Sequence, residues 1–110
     1  MKIIKLELDF LNGPIVKDVF STSKNKLVTG IDIVDNDFEL NALNEKASAL
    51  YSSFYEFDED EACRFNSTIA KAHLNELKEL ITKIKVRLNF LNDGSFELND
   101  MISEQLRELD

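Results

Sequence analysis

The sequence is poor in the residues that crosslink, bend or interrupt a chain. Its 110 residues include one cysteine, one proline, three glycines and no tryptophan. A single thiol excludes an internal disulfide and a cysteine-based zinc site, which is typical of a reducing compartment. Three isolated glycines also exclude a glycine-rich phosphate loop. We therefore expect a cytoplasmic protein whose fold depends on side-chain packing.

Long apolar runs are also missing. The longest uninterrupted apolar stretch is Ala49-Leu50-Tyr51, whereas a membrane-spanning helix needs about 20 such residues. The content of 44% hydrophobic and 31% charged residues is typical of a folded domain. Because a chain of 110 residues suits one hydrophobic core, we predict a single domain over residues 1–110 that has no membrane partner.

The first third of the chain has the patterns of strands. Apolar residues alternate with polar ones from Ile4 to Phe10, and the run 27–34 is rich in β-branched residues. These two segments predict a small N-terminal antiparallel strand pair. Between them, Pro14 can begin a short helix over about residues 15–20.

Helical spacing dominates the rest of the sequence. Apolar residues step by three and four from Leu43 to Phe57 and again from Ala70 to Leu91, which predicts two helices joined by an acidic loop as an antiparallel hairpin. Either Asn36 or Asn41 is expected to cap the first helix.

Two details complete the predicted architecture. Residues 82–90 also alternate like a strand, which would add a third strand to the sheet, but the unbroken helical stripe and the Asp93-Gly94 stop favour a helix. A final helix is expected after Asn99 or Asp100. The fold class is thus α+β, with a two- or three-stranded sheet packed on a helical hairpin and a C-terminal helix.

The residue types that carry enzyme chemistry are sparse. Cys63 and His73 are the single thiol and imidazole, and on one helix they would lie roughly 15 Å apart. Asp35, Asp37 and Glu39 have the spacing of the first calcium ligands in an EF-hand loop, but the glycine and the final glutamate of that motif are missing. We predict no catalytic residue, no metal site and no cofactor.

The net charge of −8 is concentrated in one segment. Residues 32–61 contain ten acids and a single lysine. Such a surface repels phosphate backbones, so we expect no direct nucleic-acid binding. A basic protein partner, by contrast, would be attracted to it.

The densest acidic run lies next to two tyrosines. One or two acids are enough to cap a helix beginning near residue 62, so the run has a surplus. Tyrosine beside carboxylates is typical of protein-binding patches, although the rings could instead close the edge of the core. The predicted partner-binding residues are Tyr51, Tyr55, Asp58, Glu59, Asp60 and Glu61, with Asp35, Asp37 and Glu39 as steering charges.

These features favour a non-catalytic acidic protein that occludes a basic site on a partner. Immunity proteins and antitoxins that neutralise bacterial nuclease toxins have this size and charge. The comparison rests on size, acidity and the lack of catalytic groups, and not on a shared sequence motif. The alternative is a structural or oligomerisation module, in which the heptad-like helix 66–91 packs its seam on a second copy or on a partner helix.

Overall fold

The fold combines helices with short strands, which confirms the α+β class. The computed structural model describes residues 2–9, 13–57 and 63–109. In chain order its elements are β1 (Lys2–Leu6), β2 (Val19–Ser21), β3 (Lys26–Val28), α1 (Asp32–Asp35), α2 (Phe38–Ser52), β4 (Tyr55–Phe57), β5 (Cys63–Phe65), α3 (Ser67–Leu91), β6 (Phe96–Asp100) and α4 (Ile102–Leu109). Within these described residues, no helix is long and apolar enough to cross a bilayer.

Helices α2 and α3 pack against each other and run antiparallel. The Arg87 side chain, near the end of α3, bonds to Asp37 at the start of α2. At the opposite ends, the Asn66 N–H before α3 donates to the Phe54 carbonyl after α2. Residues 82–90 are helical. Their alternating apolar residues accordingly do not share a face: Val86 is 63% exposed, while Ile84 and Leu88 are buried.

The apolar stripe of α3 is used inside the fold. Its buried residues are Ala70, Leu74, Leu77, Ile81, Ile84 and Leu88. All of them except Leu74 join residues of β1, α2, β6 and α4 in one hydrophobic cluster. The predicted oligomerisation seam is therefore covered by the chain's own elements, and a second copy could reach it only by opening the core.

The sheet pairing differs from the predicted one. Strand β1 pairs with β6 in parallel, with Lys2 opposite Phe96 and Leu6 opposite Asp100. The predicted antiparallel pairing of the first strand with residues 27–34 is wrong. Parallel strands are joined by long connections and not by a tight turn, so no local sequence pattern predicts which strand pairs with β1.

The segment 27–34 is a strand only at its beginning. Gly30 has a φ of +84°, a left-handed conformation that ends the extended run. The Asp35 carboxylate accepts the N–H groups of Thr29 and Gly30 at 2.9 and 3.0 Å, and this bonding folds the chain into α1. Local side-chain bonding of this kind competes with strand pairing.

The predicted helix over residues 15–20 is also wrong. Ile15 forms an isolated bridge to Leu6, and β2 pairs with β3 as a short antiparallel hairpin. The Ile15 N–H donates to the Asn44 side-chain oxygen at 2.9 Å. This bond anchors the segment on α2, which leaves it extended.

Two helix boundaries also differ from the prediction. Helix α2 ends at Ser52 and not near Phe57, so β4 begins where helix was expected. Its cap is Asp37, whose carboxylate accepts the Leu40 N–H at 2.8 Å. Asn41, one of the two expected caps, lies within the first turn instead and donates to the Asp37 carbonyl.

Candidate functional site

A β-hairpin made of β4 and β5 connects α2 to α3. Tyr55 lies opposite Phe65, and Phe57 lies opposite Cys63. Paired residues of antiparallel strands share a face, as do residues two apart along one strand. Tyr55, Phe57, Cys63 and Phe65 therefore form one face, which we call the aromatic hairpin face.

The base of this face is fixed by ring packing. The Tyr55 and Phe65 ring centroids are 5.3 Å apart, and both rings contact Tyr51. Phe54 is fully buried beneath them and meets Phe65 edge to face at 6.3 Å. Such edge-to-face pairs are stabilising beyond the area they bury. The hairpin is thus held firmly on the core.

Tyr51 and Tyr55, both predicted as partner contacts, occupy different environments. Tyr51 is 9% exposed and belongs to the core, whereas Tyr55 is half-buried. Their hydroxyl groups share a hydrogen bond of 2.9 Å. Burial, followed by this hydrogen bond, raises the pKa of the Tyr51 phenol well above its ordinary value. Tyr51 therefore orients Tyr55 from below.

The outer part of the aromatic hairpin face is exposed. Phe57 is 64% exposed and Phe65 is 38% exposed, and Cys63 is exposed beside them. The sequence did not predict the exposure of Phe57, because its spacing fitted the apolar stripe of the preceding helix. On the other face, the Glu56 carboxylate accepts a hydrogen bond from Asn66 at 2.8 Å.

The acidic run connects the two strands of this hairpin. Asp58, Glu59, Asp60 and Glu61 follow Phe57 directly in the sequence, but they lie outside the described residues. The expected helix start near residue 62 is wrong, because α3 begins at Ser67. Its cap is Asn66, which accepts the N–H groups of Thr68 and Ile69 at 3.0 Å. The run is therefore separated from the helix by β5.

The three predicted steering charges have partners within the chain. The Asp35 carboxylate accepts hydrogen bonds from the N–H groups of Thr29 and Gly30. Asp37 bonds to Arg87 at 2.7 and 2.9 Å, and this hydrogen bonding lowers the pKa of its carboxyl. Glu39 lies 3.2 Å from Arg87, and its side chain remains 64% exposed. Of the three, Glu39 presents the most charge to solvent.

Two basic residues of α3 pair with acids in different parts of the chain. Lys85, on the lysine-rich face of this helix, pairs with Asp100 at 2.6 Å. Arg87 reaches the acidic segment, through Asp37 and Glu39. Asp32 and Glu45 are exposed, and neither forms an ion pair with a described residue. Asp32, Glu39 and Glu45 thus present negative charge to solvent in this fold.

The residues considered for enzyme chemistry lie on different elements. Cys63 is on β5, not on the helix that carries His73 as the sequence suggested. The His73 ring lies 3.3 Å from the Glu76 carboxylate and is exposed. Within residues 2–9, 13–57 and 63–109, no group of three or more His, Cys, Asp or Glu side chains is placed to hold a metal ion. No protein-family model matches the chain, and neither a curated protein nor a solved structure shows significant similarity to it.

Proposed function

We propose that this chain is a non-catalytic acidic protein that occludes a basic site on a protein partner, in the manner of immunity proteins and antitoxins that neutralise nuclease toxins. The observation that carries the proposal is the exposure of Phe57 and Phe65 on the hairpin whose connection is Asp58-Glu59-Asp60-Glu61. Exposed aromatic side chains and a dense charge of one sign occur together on a single small element.

The two parts of the hairpin would have separate roles in binding. Aromatic rings at the centre of an interface contribute much of the binding free energy. Surrounding charges mainly set the association rate and exclude wrong partners. Phe57 would enter an apolar pocket on the partner, and the four acids would align with lysine and arginine side chains around it.

The rigid base of the hairpin supports such a role. Tyr51 and Phe54 are buried beneath the face, so the strands need little ordering when a partner docks. Binding elements that are already ordered lose less conformational entropy on association. The remaining exposed acids, which include Asp32, Glu39 and Glu45, would act at longer range, over about 8 Å at physiological salt.

The test compares matched variants of the hairpin. The chain is immobilised, the protein that it retains from a lysate is purified, and association and dissociation rates are measured at several salt concentrations. We expect F57S to weaken binding at least about tenfold, mostly through faster dissociation. The matched control is F20S, which changes a phenylalanine of similar exposure (57% exposed, against 64% for Phe57) on the β2–β3 hairpin.

The acidic run is tested in the same assay. The double variant D58K/D60K should slow association and reduce its dependence on salt, with little change in the melting temperature. A purified partner that binds F57S as tightly as the wild type, or that associates at a rate independent of salt, would contradict the proposal.

A further inference from the structure

A long groove follows the contact between α2 and α3 on the surface. Two adjoining hollows of about 590 and 620 Å³ have Lys83 in common and are lined from both helices. Along α2 the groove extends from Glu39 to Ser53, a distance of about 20 Å at the rise of an α-helix. It lies on the other flank of α3 from the buried stripe and does not involve the aromatic hairpin face.

The groove has an apolar floor. Leu43, Leu50 and Leu80 are partly buried hydrophobic residues that pack on the core from this side. Val86 and Phe90 are 63% and 74% exposed at one end. Helix pairs with such an apolar face are typical of bundles, in which further helices cover the groove. In the described residues no other element covers it.

The charges along α3 indicate what can cover the groove. On α3, Glu76 and Glu79 lie in the N-terminal half of the groove, and Lys83 and Arg87 follow in the C-terminal half. Helix α2 adds Lys46 beside the two acids and Glu39 beside the two bases. The side chains of Glu76, Glu79 and Lys83 are 61%, 70% and 57% exposed. A second α3 lying antiparallel to the first would place each acidic half opposite a basic half. The α3 side of the groove is therefore complementary to a second copy of itself. Dimerisation would exchange the Glu79–Lys83 contact of 3.8 Å within each helix for contacts between the copies, while Arg87 keeps its bonds to Asp37 and Glu39.

We propose that the groove between α2 and α3 is a homodimer interface, in which a two-fold axis packs two helical pairs into a four-helix bundle. Each copy would bury Val86 and Phe90 against the other. The opposite-charge halves of the two α3 helices would set the antiparallel register, as charged flanking positions do in coiled coils. A two-fold contact uses the same patch on both subunits.

Sedimentation equilibrium of the full chain, from roughly micromolar to millimolar concentration, tests the interface. The wild type should dimerise, and F90S should raise the dimer dissociation constant at least about tenfold. Because Phe90 is largely exposed, F90S should keep the circular dichroism spectrum of the wild type. F20S and F57S, which change exposed phenylalanines outside the groove, should leave the dimer unchanged.

Charge reversal separates an intermolecular contact from a structural effect. E79K alone and K83E alone should each weaken the dimer, because they place like charges opposite each other in the two copies. A mixture of E79K and K83E chains should form a heterodimer in preference to either homodimer, since both facing pairs are then of opposite sign.

Three results would overturn the proposal. They are a wild type that remains monomeric at roughly millimolar concentration, a dimer that is insensitive to F90S, and a mixture of E79K and K83E chains that shows no preference for the heterodimer. A monomeric wild type that binds an added amphipathic helix in this groove would assign the surface to another occupant.

Discussion

Asp37 and Arg87 are joined by two hydrogen bonds of 2.7 and 2.9 Å across the α2–α3 contact. The same Asp37 carboxylate caps α2 by accepting the Leu40 N–H. The Arg87 guanidinium also lies 4.9 Å from the centre of the exposed Phe90 ring, a cation–π distance. One carboxylate therefore starts a helix and links it to the next one.

The two roles of Asp37 can be separated by substitution. D37A removes the cap and the Arg87 pair together, whereas D37S keeps an oxygen that can cap the helix. We expect D37A to lower the free energy of unfolding by about 1–2 kcal/mol, mostly through the lost cap. D37S should lose less, because it keeps a capping oxygen and loses only the Arg87 pair. Urea denaturation measures both, and equal losses would contradict the dominance of the cap.

The Asp37 carboxyl also predicts a pH dependence. Its pKa is lowered in the folded state by the Arg87 hydrogen bond. This group therefore stabilises the fold fully above its unfolded pKa of about 3.9, and the stabilisation is lost as the pH falls through the lower folded pKa. The difference in melting temperature between the wild type and D37S should be present at neutral pH and shrink in acid. A difference that is independent of pH would exclude this role for the carboxyl.

Tyr51 predicts a loss of folding stability at high pH. Burial raises the pKa of its phenol in the folded state, so its stabilising contribution is complete below the unfolded pKa of about 10. That contribution is lost as the pH rises from there through the folded pKa. In Y55F, Tyr51 is the remaining tyrosine, and its ultraviolet absorbance reports ionisation directly. We expect ionisation to coincide with the loss of helical circular dichroism, whereas phenolate formation in a folded chain would contradict the prediction.

Asn44 is a buried polar residue, 6% exposed, and it predicts a large effect on stability. Its side-chain oxygen accepts the Ile15 N–H, and N44A would leave that buried donor without a partner. An unsatisfied buried group of this kind costs about 1–3 kcal/mol. The control N89A, at an exposed position of α3, should change the free energy of unfolding far less. Because alanine has a higher helix propensity than asparagine, a loss in N44A no larger than that in N89A would contradict the role of the buried hydrogen bond.

The sequence predicted the elements that have local patterns. The stripe of α3 repeats over the whole helix, and Asp100 caps α4 as expected by accepting the Ile102 N–H. The strands were harder to predict, because their pairing depends on distant residues. The tetrapeptide Phe-Glu-Leu-Asn is helical at 38–41 and a strand at 96–99. At 38–41 it follows the Asp37 cap, whereas at 96–99 it lies alongside β1.

The candidate site was predicted in part. Acidity and aromatic content gave its position in the sequence, and Tyr55 is accessible there. The local fold was not foreseen, because the apolar spacing from Leu43 continues through Phe54 and Phe57 although the helix ends at Ser52. Whether a side chain on such a stripe is buried depends on where the chain turns, and the turn follows from packing of Phe54 into the core.

The parallel pairing of β1 with β6 also affects how the protein is made. In a growing chain Lys2–Leu6 is synthesised well before Phe96–Asp100, its ladder partner. Ile4 and Leu6, which are buried in the finished fold, remain without that ladder until those later residues have been made. Nascent chains stalled before residue 96 should accordingly be readily digested by proteases, even after α2 and α3 have formed.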